Sequence, residues 1–368
     1  MSTINLNKLK KFRKGNNMSK IRAVQYGCGK MSMFTMKYMI DKGIEIVGAI
    51  DINPEIVGKD IGEIIGREKV GITVTHEEQA VELLENLKPD ICIVTTRSLI
   101  GELEKPLILC ASRGINAITT CEEAFFPENS NPELFKKIND LAKNNNCTIT
   151  GSGYQDIFWG QLVTSIAGST HKITKIKGSS SYNVEEYGLA LAEAHGAGLT
   201  LSEFDERIAV GDRISDEQRT EMINSGTFLP SYMWNVNGWL CDKLGLNVKK
   251  QIQKCVPQTA SQDLYSSTLE MTIKAGDVTG MSAVVVTETE EGIVLETDCI
   301  GKVYEPNESD KNIWTVEGEP TTTFKIENPD TVRLTCATIV NRIPDVIKAT
   351  SGYVTTDKIG ELNFKSYM

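Results

Sequence analysis

The sequence predicts an α/β fold in two parts, a doubly wound parallel sheet followed by an α+β unit. Three observations carry this. Short apolar runs alternate with helix-like stretches through the first 150 residues, and a glycine-rich turn joins the first strand to the first helix. Beyond residue 150 the strands lengthen and take on partial polar–apolar alternation. In order, 21–26 reads as a strand and 30–42 as a helix with Met33, Met36, Tyr38, Met39 and Ile40 clustered. Residues 44–50 form a second apolar strand and 53–65 a helical stretch. A helix over 77–87 closes at Pro89, and 90–95 is a buried strand. A helix at 102–113, a strand at 115–121, a helix at 132–144 and a strand from 147 to 150 complete the unit.

In the second part, strands are predicted over 173–184, 264–274, 278–289 and 292–303, the last two turning at Glu290-Glu291-Gly292. Helices fill 155–169, 186–193, 202–225 and 230–244, which suits an antiparallel sheet covered on one face. Residues 330–350 return to helical spacing through Val332, Cys336, Ile339, Val340, Ile343 and Ile347. Asn341 and Arg342 fall off that stripe, and Pro344 is expected to kink or end the helix. The reading divides the chain into a basic, disordered extension (1–17) and a dinucleotide-binding domain (18–150). A substrate and dimerisation domain (151–329) follows, and a C-terminal segment (330–368) packs back on the dinucleotide-binding domain.

Composition removes several classes. The chain has 368 residues and a net charge of −10, falling to −15 without the basic segment 1–17, and this opposes binding to nucleic-acid backbones. No apolar run is long enough for a membrane span, and no secretory leader is evident. Nine cysteines without a CxxC pair argue against a zinc module or a disulfide framework, so free thiols, no metal and a reducing cytoplasm are expected.

The turn Gly27-Cys28-Gly29-Lys30-Met31-Ser32 sits between the first strand and the first helix. Its first glycine permits a tight turn, and the second lets backbone approach a pyrophosphate at the helix N-terminus, the Rossmann-type arrangement. The third position is Ser32 where Gly or Ala is usual. Asp51 ends the second strand 24 residues after Gly27, placed to bind a ribose 2′-hydroxyl. A carboxylate there favours NAD, with NADP possible. Thr95, Thr96, Arg97 and Ser98 follow a parallel strand on the ligand side and are read as a further cofactor wall.

Chemistry is expected where Thr120-Cys121-Glu122-Glu123 leaves another strand. A carboxylate beside Phe125 and Phe126 is partly desolvated, which raises its pKa towards that of a general base. Either Glu122 or Glu123 suits the role, and a Glu base fits amine oxidation. Tyr154, Gln155 and Asp156 mark the crossing into the second part, with Asp156 a candidate for a cationic substrate group. His195 lies in a small-residue loop that a ligand can approach and is a third catalytic candidate. Cys28 and Cys121 flank these sites, so thiol modification is expected to impair activity.

The cofactor turn, the strand end Ile50-Asp51-Ile52-Asn53-Pro54, Thr120-Cys121-Glu122-Glu123 and the tail Asn341-Arg342-Ile343-Pro344-Asp345-Val346 together resemble the 2,4-diaminopentanoate dehydrogenase family and the related native amine dehydrogenases. The N-terminal half is also similar to dihydrodipicolinate reductases. The resemblance covers nearly everything from Met18 onward. It implies NAD(P)-dependent oxidative deamination of 2,4-diaminopentanoate at C4 to 2-amino-4-oxopentanoate, in ornithine fermentation, with a catalytic Glu at 122 or 123. Tyr154-Gln155-Asp156 and Ser32 depart from the pattern of amine dehydrogenases with simpler substrates. A diamino acid calls for an acid-rich pocket, met by Glu122, Glu123 and Asp156, and an anchoring cation, met by Arg97 or Arg342. The alternatives are a dihydrodipicolinate reductase-like or other amine or imine oxidoreductase, and a non-catalytic NAD-binding redox sensor. By analogy of fold, a cytoplasmic homodimer is expected.

Overall fold

Strands that carry apolar side chains on both faces need cover on both faces, and the computed structural model, which describes residues 20–368, supplies it with helices. The basic segment 1–17 lies outside the described residues. Six parallel strands, β1 (Arg22–Tyr26), β2 (Glu45–Asp51), β3 (Val74–His76), β4 (Ile91–Val94), β5 (Asn116–Thr119) and β6 (Thr148–Gly151), pair in the order β6-β5-β4-β1-β2-β3. Gly352–Tyr353 adds a seventh parallel strand beside β6. One face packs on α2 (Ala80–Leu87), α3 (Glu104–Ser112) and α4 (Pro132–Asn144), through residues such as Leu84, Leu107 and Ile138. The other packs on α1 (Lys30–Asp41) and α6 (Thr331–Lys348), through Met36, Met39, Ile339 and Ile343.

The second sheet holds β7 (Lys172–Asn183), β8 (Val248–Thr259), β11 (Val278–Thr289), β12 (Val294–Lys302), β13 (Lys311–Glu319) and β14 (Thr322–Glu327), in the order β14-β13-β7-β12-β11-β8. It is mixed rather than antiparallel, because β7 and β12 run parallel. Helix α5 (Tyr232–Leu244) covers one face, with Met233, Trp239 and Leu240 in one cluster with Ile176, Val285, Leu295 and Trp314.

Four predicted elements differ, each for a local reason. Helix 53–65 shrinks to Ile61–Ile64, since Gly58 takes φ +86° and the Asp60 carboxylate caps the short helix through Gly62 N at 2.7 Å. The strand 264–274 divides into β9 (Leu264–Ser266) and β10 (Met271–Ile273), a separate antiparallel ribbon turning where Glu270 adopts φ +53°. Helix 202–225 becomes Leu201–Arg207 and Asp216–Ser225, because Ser215 and Gln218 form a capping box that starts a new helix. Pro344 sits inside α6 without ending it.

Arg342 and Asp156 require a correction. Both were expected in the substrate pocket, yet both side chains are fully buried and bound to each other. Arg342 Nε donates to Asp156 Oδ2 at 2.8 Å and Nη2 to Oδ1 at 3.1 Å. Ser152 Oγ and Gln161 Nε2 complete the carboxylate's shell, while Arg342 Nη1 donates to the carbonyls of Ile359 and Gly360. Both side chains are sealed in the interior, so neither is presented to a substrate. Removing one partner strands the other charge in the interior. Arg342→Met should therefore cost about 3–5 kcal/mol in denaturant unfolding, and the double variant with Asp156→Leu should recover much of that loss.

Candidate functional site

Strand order reverses at β1, between β2 and β4, so the loops leaving their C-terminal ends diverge and open a crevice. Gly27 ends β1 at φ +88°. A Cβ there would lie 2.6 Å from Thr96 Cγ2 and 2.8 Å from the Thr95 carbonyl, so both conformation and space demand glycine. At Gly29 a Cβ would meet nothing within 4 Å, which leaves open the space before α1. The first turn of α1 carries no acidic residue, so its amide dipoles are free for a phosphate. Ser32 replaces the third small residue without strain. It is fully buried and its hydroxyl donates to the Gly29 carbonyl at 2.7 Å.

Asp51 accepts from the amides of Cys28 and Asn53, the latter at 2.7 Å, which ties the second strand's end to the turn. Gln25, which carried no signal in the sequence, is buried behind the turn. Its amide reaches the Gly27 carbonyl at 3.0 Å and Thr95 Oγ1 at 2.9 Å, and it accepts from Thr35 at 2.8 Å. These residues form a cradle that fits a dinucleotide, in which Gly27, Cys28 and Gly29 could hold the pyrophosphate and Asp51 the adenosine ribose. Lys30 is exposed at the start of α1, its Nζ 5.8 Å from the centre of the Tyr187 ring. Thr96, Arg97 and Ser98 are exposed at the crevice side of β4, and Arg97 reaches Glu102 at 3.8 Å.

A cleft of about 820 Å³ lies between the parallel sheet and the second sheet. Its walls come from three sources: Met31 and Glu122 below, Tyr154, Gln155 and Trp159 after β6, and Pro329, Thr331, Val332 and Thr335 at the start of α6. Ser180, Ser181, Tyr182 and Cys299 of the second sheet close it, with Tyr187, Leu191 and Tyr232. The Tyr154 ring stacks on Phe158, 4.3 Å between centroids.

The two adjacent acids separate. Glu122 lines the cleft, and burial raises its carboxyl above the ordinary range, opposed in part by the Ser98 hydroxyl. Glu123 turns away: its carboxylate accepts from Ile100 N at 2.8 Å and Ser130 Oγ at 2.7 Å, and its carbonyl accepts from Asn235. Burial raises Glu123 as well, but its partners give it a structural position. His195 stands behind the wall, 2.7 Å from the Tyr182 hydroxyl. Tyr182 and Tyr232 were not signalled by the sequence, since an aromatic in a strand or at a helix start is ordinarily core. Among the described residues no Lys or Arg lines the cleft, and no cluster of three or more His, Cys, Asp and Glu suits a metal.

The cysteines also need correction. Cys28 and Cys121 are buried, and burial pushes the Cys28 thiol up to about 12 and the Cys121 thiol well up. Neither presents a thiolate to a reagent.

A family model described as the 2,4-diaminopentanoate dehydrogenase C-terminal domain matches residues 158–361. A 2,4-diaminopentanoate dehydrogenase from Acetoanaerobium sticklandii is 26% identical over 204 residues, 53% of this chain. The chain spans only 55% of that relative's length. The amine dehydrogenase of Mycobacterium smegmatis is 38% identical with a TM-score of 0.81, covering 95% of this chain and 99% of that one. A probable dehydrogenase from Thermotoga maritima shares the fold alone, at 13% identity and a TM-score of 0.57 over 92% of each chain.

Brief alkylation of the native protein at neutral pH should leave Cys28 and Cys121 unlabelled by mass spectrometry, and both should label once denaturant is added. Rapid native labelling of either would contradict their burial.

Proposed function

This chain belongs to the 2,4-diaminopentanoate dehydrogenase family, and we propose from that premise that it oxidatively deaminates a primary amine with NAD, using Glu122 as general base. The observation that carries the reading is the position of Glu122, among the described residues the one charged side chain lining a cleft that opens beside a dinucleotide cradle. Bound there, NAD supplies the hydride acceptor. The residues that would hold it are Gly27, Cys28, Gly29 and Ser32 with the α1 N-terminus, and Asp51 at the ribose. Asp51 favours NAD over NADP because its carboxylate opposes a 2′-phosphate, and Lys30 stands at the helix start for the pyrophosphate.

The chain's own groups then divide the work. Glu122 attracts the substrate ammonium and takes one N–H proton, which leaves the nitrogen lone pair able to drive hydride departure from the adjacent carbon. The aromatic walls, Tyr154, Trp159 and Tyr232, keep bulk water from the carbon. After oxidation Glu122 releases that proton to solvent; the regained carboxylate takes a proton from the water that adds to the iminium carbon and passes it to the nitrogen, which leaves as ammonium. A raised carboxyl suits this shuttle, because burial makes the carboxylate a stronger base than an exposed one.

Two substrate readings follow. Family membership supports 2,4-diaminopentanoate. The cleft favours a primary amine without a carboxylate, contrary to what Tyr154-Gln155-Asp156 and Ser32 suggest in the sequence. One acid lines it and, among the described residues, no Lys or Arg, so a substrate carboxylate would be desolvated without a cationic partner. Arg342 is sealed on Asp156, and Arg97 reaches Glu102 outside. Steady-state comparison of 2,4-diaminopentanoate with 2-aminopentane should give the larger kcat/KM for 2-aminopentane. The opposite ranking would restore the diamino acid.

Glu122→Gln should lower kcat by about 10²–10⁴ while NAD binding persists. Glu123→Gln should act mainly on thermal stability. The acid limb of kcat/KM should fall above the ordinary carboxylate range. Burial raises Glu122, the active form is the carboxylate, and activity is therefore lost as pH drops through that raised value. An acid limb at the ordinary range, or undiminished turnover in Glu122→Gln, would remove Glu122 from the mechanism.

A further inference from the structure

Tyr182 shares the cleft wall with Glu122, and its hydroxyl is constrained by His195 in a way that fixes what it offers a ligand. His195 caps the helix Leu189–Ala194, and its Nδ1 lies 2.8 Å from the Leu191 carbonyl oxygen. A carbonyl only accepts, so Nδ1 carries the ring proton. Burial holds the imidazole below its usual pKa, which keeps the ring neutral and leaves Nε2 a bare lone pair. The Tyr182 hydroxyl, 2.7 Å from Nε2, must then donate to it. Its oxygen keeps only lone pairs for the cleft.

The fold makes room for this pair at some cost in packing. Gly301 of β12 lies opposite Tyr182 in the parallel ladder. A Cβ on Gly301 would fall 2.5 Å from His195 Cδ2, 2.6 Å from Nε2 and 2.7 Å from the Tyr182 hydroxyl. A glycine in mid-strand weakens a sheet unless something needs the space, and here the Tyr182–His195 pair fills it. Burial keeps the Tyr182 phenol protonated, and Glu122 adds a smaller contribution in the same direction.

Resting on the reading of this cleft as the place where Glu122 deprotonates a primary amine, we propose that Tyr182, held as an acceptor by His195, is a second binding group for the reacting nitrogen. An ammonium has three N–H donors. Glu122 takes the proton from one, and Tyr182 accepts a hydrogen bond from another, so the lone pair that appears is held in one direction. A neutral acceptor does this without a second negative charge beside Glu122. Tyr182 touches the substrate; His195 is a positioning residue that acts through it.

The test runs the full-length enzyme in the reductive direction, with NADH, a ketone and ammonium varied separately. Tyr182→Phe should raise KM for ammonium roughly tenfold or more, with KM for the ketone and for NADH unchanged. His195→Gln, whose amide oxygen can replace Nε2, should stay near wild type, whereas His195→Ala should shift KM for ammonium towards the Tyr182→Phe value. Unchanged ammonium KM in Tyr182→Phe, a uniform rise in all three KM values, or identical behaviour of His195→Ala and His195→Gln would overturn the assignment. If Tyr182→Phe does not fold, the two His195 variants decide it alone. Wild-type enzyme that oxidises no NADH with ammonium and any ketone would instead overturn the amine reading itself, and this assignment with it.

Discussion

The geometry of the cleft depends on the ion pair between Arg342 and Asp156. A charge pair is tolerated in a dry interior when its donors and acceptors are largely occupied; Asp156 accepts from Arg342, Ser152 and Gln161, and Arg342 also donates to two backbone carbonyls. The pair's position matters as much as its energy. Asp156 directly follows Tyr154 and Gln155 in one wall of the cleft, and Arg342 belongs to the helix that carries Thr331, Val332 and Thr335 in another. The same helix packs on α1, whose N-terminus faces the cofactor cradle. One pair thus sets the distance between two cleft walls and ties both to the dinucleotide turn.

Charge inside the cleft is concentrated on one carboxylate. Burial opposes ionisation of Glu122, and its field in turn contributes to holding Tyr182, Tyr232 and Cys299 in their protonated forms. For Tyr232 that field is the largest influence. Among the described residues Glu122 is the single anionic group in that lining, surrounded by neutral hydroxyls and aromatic rings. The adjacent Glu123, chemically identical, is diverted by two hydrogen bonds into holding the loop after β5 against Ile100 and Ser130.

The parallel sheet and the dinucleotide turn were legible because their signals are local: continuous apolar strands, a positive-φ glycine, and an acid at the next strand's end. The second sheet was half visible. β11 and β12 carry enough apolar residues to be read, whereas β8 runs along the sheet's edge, and its polar sequence through Lys249, Lys250, Gln251 and Gln253 resembles a loop. The roles of Asp156 and Arg342 were misread for a different reason. Composition shows that two complementary charges exist but not that they lie 186 positions apart and face each other. Which of Glu122 and Glu123 enters the cleft depends on where Ile100, Ser130 and Asn235 arrive, and no local pattern reports that.

The placement of α6 also has a consequence in time. A ribosome releases this chain at about 5–20 residues per second, amino end first. The strands from β1 to β6 leave the exit tunnel early, yet one of their two covering layers includes a helix translated only after the entire second sheet. Until then the nascent parallel sheet carries part of its apolar face bare, a surface for chaperones or for misassociation. A translation product halted before residue 331 would retain the glycine turn and Asp51 but would lack one side of the cleft, so the cleft is completed late in the birth of each molecule.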